Sequence, residues 1–254
     1  MAGRLENEHI FVTGGAQGIG AAIVEKCLNE GARVSFIDLD AARAEAHVRS
    51  LGAADRLFWM RGDVRVADDI ARAHAGAKAA FGPVSGLVNN AGRNSYADPV
   101  RMTEAQWDDV FAVDLKSAWL CARAVLPDML AARKGSIVNI ASIHADMTYP
   151  GMFPYAAAKS GLVGMTRSLA LEVGPQQVRV NALSPGYTET PLLKEWFGMQ
   201  PAEKQREVLG VHAMGRMAKP MEIANCVAFL LSEEASFVTG ANWRADGGLG
   251  ARFA

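Results

Sequence analysis

Brief apolar runs alternate along this chain with longer segments rich in Ala, Leu, Glu and Arg. The runs Ile10 to Thr13, Arg33 to Asp38, Phe58 to Arg61, Gly86 to Asn89, Ser136 to Ile140, Arg179 to Ser184 and Asn242 to Asp246 are short and mostly β-rich. Near-continuous apolar runs of this length mark strands buried on both faces. The segments Gly18 to Glu30, Val66 to Phe81, Glu104 to Arg133, Tyr155 to Gly174 and Met221 to Leu231 read as helices. Thr103, with Gln106 three residues later, gives the helix from Glu104 a capping box, and Gly31 and Gly174 fit C-terminal stops. Strand alternating with helix predicts an α/β fold: one domain, residues 1–254, with a doubly wound parallel sheet of seven strands and helices on both faces. The stretch 190–215 breaks the rhythm with Pro191, Trp196, Phe197 and Pro201 and no strong period, as expected of a substrate lid.

Composition narrows the function. Half of the 254 residues are hydrophobic, enough for a substantial core. The formal net charge is −1 and the basic residues are scattered, so nothing here fits nucleic acid or an anionic membrane. Cys27, Cys121 and Cys226 are far apart and outside any Cys-x-x-Cys spacing, which argues against disulfides and structural zinc and for a reducing compartment. His9, His47, His74, His144 and His212 show no ligand spacing, so no metal is expected. The charged stretch Met1 to His9 lacks the apolar core of a signal peptide, and no run approaches the ~18 apolar residues of a membrane span. A cytoplasmic protein acting on a small molecule is expected.

The candidate chemistry begins where the first strand should turn into the first helix, at Thr13-Gly14-Gly15-Ala16-Gln17-Gly18-Ile19-Gly20. Glycines there let the backbone turn tightly and approach a pyrophosphate, whose charge meets the amide groups at the helix N-terminus. Asp38 ends the second strand, where its carboxylate can accept hydrogen bonds from both adenosine ribose hydroxyls and repel a 2′-phosphate. Leu39, Ala16 and Gln17 offer no cation to neutralise that phosphate, so NAD is expected over NADP.

Tyr155 and Lys159 stand four residues apart, about one helical turn, with Ser142 thirteen positions upstream. A phenol has an ordinary pKa of ~10, and one cation ~4 Å away at an effective dielectric of ~20 is worth roughly 4 kcal/mol, nearly enough to bring it to ~7. Tyr155 is therefore the candidate acid–base group and Lys159 the cation that activates it.

With these motifs at both ends, the chain resembles the short-chain dehydrogenase/reductase family over essentially its whole length. Asp63-Val64, Asn89-Asn90-Ala91-Gly92, Arg179-Val180-Asn181 and Pro185-Gly186 extend the likeness in the family's order. The resemblance implies a Rossmann fold, with Asp63 and Val64 lining adenine, Asn90 and Gly92 along the cofactor, and backbone near Gly186 and Thr188 meeting the nicotinamide. It implies that Lys159 binds the nicotinamide ribose, that Ser142 holds the substrate oxygen, and that the protein is a homotetramer. Apolar and small residues on more than one side of two helices (Trp107, Val110, Phe111, Trp119; Ala156, Leu162, Met165) agree with assembly. One position departs: where the family usually has Asn, this chain has Asp114. Its backbone carbonyl is expected to keep the role of holding a water, with the carboxylate held away from the tyrosine or hydrogen-bonded, because a buried unpaired carboxylate is costly.

In the oxidative direction, Tyr155 would take a hydroxyl proton while hydride leaves the same carbon for the nicotinamide, and Ser142 would orient the oxygen. Residues Asn94 to Tyr96, His144 to Phe153 and Tyr187 to Phe197 should border the substrate. Asn94, His144 and Glu189 mixed with Tyr149, Phe153, Tyr187 and Trp196 suit a sugar, whose hydroxyls need partners and whose C–H faces pack on rings. Ser142-Ile143-His144 with Pro150 to Tyr155 also looks like family members acting on aldoses and polyols. The leading expectation is NAD-dependent oxidation of a sugar, as at C1 of galactose, arabinose or fucose to give the lactone. The alternatives are a 3-oxoacyl carrier-protein reductase, against which Asp38 counts, and a non-catalytic cofactor-binding scaffold.

Overall fold

The computed structural model describes residues 3–93 and 97–251. Its strands are β1 (His9–Thr13), β2 (Arg33–Asp38), β3 (Leu57–Arg61), β4 (Gly86–Asn89), β5 (Gly135–Ile140), β6 (Val178–Pro185) and β7 (Asn242–Ala245). Each lies within a residue or so of its expected bounds. All pairings are parallel and the order is β3-β2-β1-β4-β5-β6-β7. The order reverses between β1 and β4, so the loops leaving those two strands diverge and open a crevice at their carboxyl ends.

Nine α-helices among the described residues cover the sheet: α1 (Gly18–Asn29), α2 (Ala41–Leu51), α3 (Ala67–Phe81), α4 (Glu104–Phe111), α5 (Ser117–Ala132), α6 (Tyr155–Val173), α7 (Pro191–Gly198), α8 (Ala202–Gly210) and α9 (Pro220–Leu231). One face packs Ile23, Val24, Cys27 and Leu28 of α1 with Ile223, Val227 and Leu230 of α9 over Val12, Phe36 and Val138. The other packs Ile70, Ala73 and Ala77 of α3 with Val125 and Met129 of α5 over Phe11, Leu87 and Ile137. Each large aliphatic side chain so buried is worth roughly 1.5–3 kcal/mol. No helix among the described residues is long and apolar enough to cross a membrane.

Three local expectations change. The single helix from Glu104 to Arg133 is α4, a π-helical turn at Ala112–Lys116, and α5. Its capping box is present, with Thr103 Oγ1 accepting the Gln106 N–H and Gln106 Oε1 accepting the Thr103 N–H. Within the widened turn the Val113 carbonyl accepts the Ser117 hydroxyl at 2.6 Å. Gly31 has the left-handed φ of 91° expected of a stop, whereas Gly174 is right-handed at −57° and the chain turns at Gln177, φ 61°. The aperiodic stretch 190–215 contains α7 and α8; Thr190 caps α7 by accepting the Leu193 N–H, and Pro191 opens it.

Candidate active site

The glycine turn follows β1 directly. Gly14 and Gly18 have φ of 68° and 60°. A Cβ on Gly20 would sit 1.9 Å from the Gly14 carbonyl oxygen and 2.5 Å from Asn90 Nδ2, so only glycine closes this turn. Gln17 is exposed at the N-cap of α1 and gives no side-chain cap, leaving the first N–H groups of Gly18, Ile19 and Gly20 without a side-chain acceptor. Asp38 Oδ2 accepts the Ala16 N–H and Oδ1 the Asp40 N–H, each at 2.9 Å, so its carboxylate fixes the flank of the turn. From the β4 side, Asn90 Nδ2 donates to the carbonyls of Thr13 and Gly14 at 3.0 and 2.9 Å. Asp63 is held by Arg65, whose guanidinium keeps the Asp63 carboxyl below the usual carboxylate range, and Val64 is buried in the apolar cluster of Ile37 and Ile70.

An uncapped helix start behind a glycine turn with no room for a side chain, beside a carboxylate at the end of β2, fits a nicotinamide dinucleotide. Gly14, Gln17, Gly18, Ile19 and Gly20 would hold the pyrophosphate and Asp38 the adenosine ribose. The bound dinucleotide supplies the hydride acceptor or donor.

Across the crevice, α6 begins at Tyr155, and the next turn carries Lys159, buried to 4% exposure. The Lys159 Nζ lies 5.6 Å from the Tyr155 ring centroid and donates to the Ile140 carbonyl at 3.1 Å. Ser142 stands two residues past the end of β5, at the start of the short turn Ile143–Ala145. Its Oγ accepts the His144 N–H at 3.2 Å, which leaves its own hydroxyl proton available to another acceptor. The Asp114 carboxylate is fully buried, with Oδ1 3.3 Å from Lys159 Nζ. The π-helical turn brings this side chain inward, and the Arg93 N–H also donates to Oδ1 at 3.2 Å. Burial pushes the Asp114 carboxyl up from its ordinary value against the opposing pull of Lys159.

His144, Tyr149 and Tyr187 form one wall. The His144 ring lies edge-on to Tyr155 at 6.1 Å and to Tyr149 at 5.0 Å between centroids, and burial lowers its pKa below the ordinary histidine value. The hydroxyls of Tyr149 and Tyr187 meet at 2.7 Å, joining the segment after β5 to the segment after β6, and the Tyr187 ring in turn stands edge-on to His212. Thr188 is bridged to Ala218, and Gly186 packs against the backbone of Asp246 with no room for a Cβ. Trp196 on α7 is 37% exposed. Asn94 lies outside the described residues.

Sequence reasoning passed over the polar chain that seats α6. Asn89 Nδ2 donates to Asn139 Oδ1, Asn139 Nδ2 to Thr166 Oγ1, and Thr166 Oγ1 to the Leu162 carbonyl, each at 2.8 Å and fully buried. Asn in the strands β4 and β5, otherwise apolar at those positions, was the signal. Among the described residues no group of His, Cys, Asp or Glu side chains could hold a metal ion.

Residues 14–250 match a family model described as Enoyl-(Acyl carrier protein) reductase. The chain is 40% identical to 2-(S)-hydroxypropyl-CoM dehydrogenase 3 of Xanthobacter autotrophicus, covering 98% of this chain and 99% of that one. It is 36% identical to the 3-oxoacyl-[acyl-carrier-protein] reductase of Thermotoga maritima, covering 97% and 99%. The crystal structure of levodione reductase superposes with a TM-score of 0.91 at 30% identity, covering 98% of this chain and 100% of that one. Matched over nearly all its length in sequence and fold, the chain belongs to the short-chain dehydrogenase/reductase family, oxidoreductases that act on CH–OH groups with a nicotinamide cofactor.

Proposed function

We propose that this protein is an NAD-dependent dehydrogenase of a small polyhydroxylated substrate, a sugar, with Tyr155 as the acid–base group. The observation that carries the reading is Tyr155 at the head of α6, with the Lys159 ammonium one turn away and Ser142 at the end of β5. Tyr155 takes the substrate hydroxyl proton during oxidation and returns it during reduction. Ser142 donates its free hydroxyl to the substrate oxygen, orienting it and stabilising the negative charge it gains. Lys159 supplies positive charge beside the phenol and reaches the nicotinamide ribose. Asp38 favours NAD, since a second anion at its position is repelled. Support for a sugar comes from the wall of His144, Tyr149 and Tyr187, which offers hydrogen-bonding atoms and ring edges together. The exposed aromatics of α4 and α5 support a homo-oligomer.

A second reading is reduction of a 3-oxoacyl thioester, favoured by the 36% identity to the Thermotoga maritima reductase. Initial rates over aldoses, polyols, simple secondary alcohols and 3-oxoacyl thioesters, each with NAD(H) and NADP(H), separate the two. An aldose oxidised with NAD, and Tyr155→Phe below a tenth of the parental rate with NADH binding intact, is expected. Turnover confined to oxoacyl thioesters overturns the sugar, and a Tyr155→Phe variant keeping a tenth or more of the rate overturns the acid–base assignment.

A further inference from the structure

The buried pair of Asp114 and Lys159 asks for a reason beyond stability, because taking two charges out of water costs several kcal/mol per ion and such a pair is weak evidence of stabilisation. The Asp114 side chain is 0% exposed and that of Lys159 5%. Asp114 Oδ1 takes the Arg93 N–H and faces the Lys159 ammonium, while Oδ2 has no hydrogen-bond partner among the described residues. A Cβ on Gly92 would lie 2.8 Å from Oδ1 and 3.2 Å from Lys159 Nζ, so the loop after β4 seals the pair. The groups that face this carboxylate are therefore few. From α6 come Lys159 and, beyond it, Tyr155; from the loop after β4 comes Arg93, whose guanidinium is paired outward with Asp109 of α4; from β5 comes the Ile140 carbonyl that shares the ammonium. On the π-helical turn itself Lys116 is exposed.

We propose that Asp114 is a positioning residue whose carboxylate fixes the Lys159 ammonium against the Ile140 carbonyl and offsets part of its field at Tyr155, so that the phenol becomes a base at higher pH than the lysine alone would allow. The inference rests on the acid–base reading of Tyr155. A carboxylate 3.3 Å from an ammonium turns a point charge into a dipole, and the field of a dipole falls off faster with distance than that of a charge. Tyr155, whose ring centroid lies 5.6 Å from the ammonium, then feels the difference between the two charges. Removing the negative member restores the full positive field without moving the lysine, provided the replacement still accepts a hydrogen bond from it.

The test is an ultraviolet titration of tyrosinate in the cofactor-free full-length protein, taken as the difference between each protein and the same protein carrying Tyr155→Phe. In Asp114→Asn, which keeps an acceptor for Arg93 and Lys159, the Tyr155 transition moves to lower pH by about one unit, a tenfold rise in tyrosinate at any pH below the transition. The alkaline rise in oxidation rate moves the same way. Asp114→Ser, smaller and also neutral, shows the same direction and serves if the amide fails to fold. An unmoved or raised transition in a folded neutral variant overturns the inference while leaving Tyr155 as the acid–base group. Rapid turnover by Tyr155→Phe would instead overturn the reading on which it rests.

Discussion

Asp38→Ala should weaken the fold and relax cofactor choice in one step, because the carboxylate that anchors the turn is also the one proposed to set the cofactor. It accepts the Ala16 and Asp40 N–H groups, each at 2.9 Å. Truncation leaves two half-buried donors to water; at about 1 kcal/mol net for each bond, the loss is about 2 kcal/mol. Unfolding entropy near 2.1 cal/mol/K per residue over 254 residues converts this to roughly 4 °C in Tm. Asp38→Asn has a single acceptor oxygen and must set its NH2 against one of the two amides, so it too loses stability. The second effect is electrostatic. A carboxylate and a dianionic phosphate about 5 Å apart repel by about 1.7 kcal/mol even at a dielectric of ~80, about 17-fold in affinity. Fluorescence titration with NADH and NADPH, which needs no substrate, reads this ratio, and a thermal melt of the same samples reads the first effect. A lower Tm with an unchanged ratio would leave Asp38 as a turn anchor alone. A changed ratio with an unchanged Tm would remove the anchor, and a parental protein preferring NADPH would refute the cofactor assignment.

Two other outcomes follow from the surface and the buried histidines. The aromatic stack of Trp107 on Phe111, flanked by Phe153, and the exposed ring of Trp119 should lie between subunits; sedimentation at micromolar concentration should give a homo-oligomer, and a stable monomer would refute it. Val110 and Leu162 contribute nothing to that surface, being buried within the chain. Burial holds His9, His47, His74 and His144 below the ordinary histidine value of 6.5. The unfolded chain then binds more protons than the native one, so stability is intact above about pH 6.5 and is lost as pH falls through that value toward the lowered ones. Tm should drop between about pH 7 and 5, with His9→Gln flattening part of the fall; a Tm constant across that window would contradict it.

The chain's local chemistry determined a good deal by itself. Apolar runs as short as Gly86–Asn89 suit strands buried on both faces, and their alternation with helices calls for the crossovers that build a parallel sheet. Gly14 to Gly20 with Asp38, and Tyr155 with Lys159, were legible because each depends on one turn or one strand end: backbone freedom in the first case, helical spacing in the second. The order of strands follows less directly, and the crevice between β1 and β4 exists only once the sheet is assembled. Tertiary structure alone decided the surroundings of the candidate proton-handling site. The buried chain Asn89–Asn139–Thr166 joins residues 50 and 27 positions apart, and the Tyr149–Tyr187 hydroxyl pair spans 38. Nothing in local spacing says which partners such polar side chains will find. Asp114 makes the same point most sharply. A helical pattern through 104–133 gives no sign of the π-helical turn, and a rule against buried unpaired carboxylates asks for a partner without naming one. Folding supplied that partner, Lys159, from a helix 45 residues later (159 less 114), and with it the low-dielectric surroundings that make the pair's charge felt.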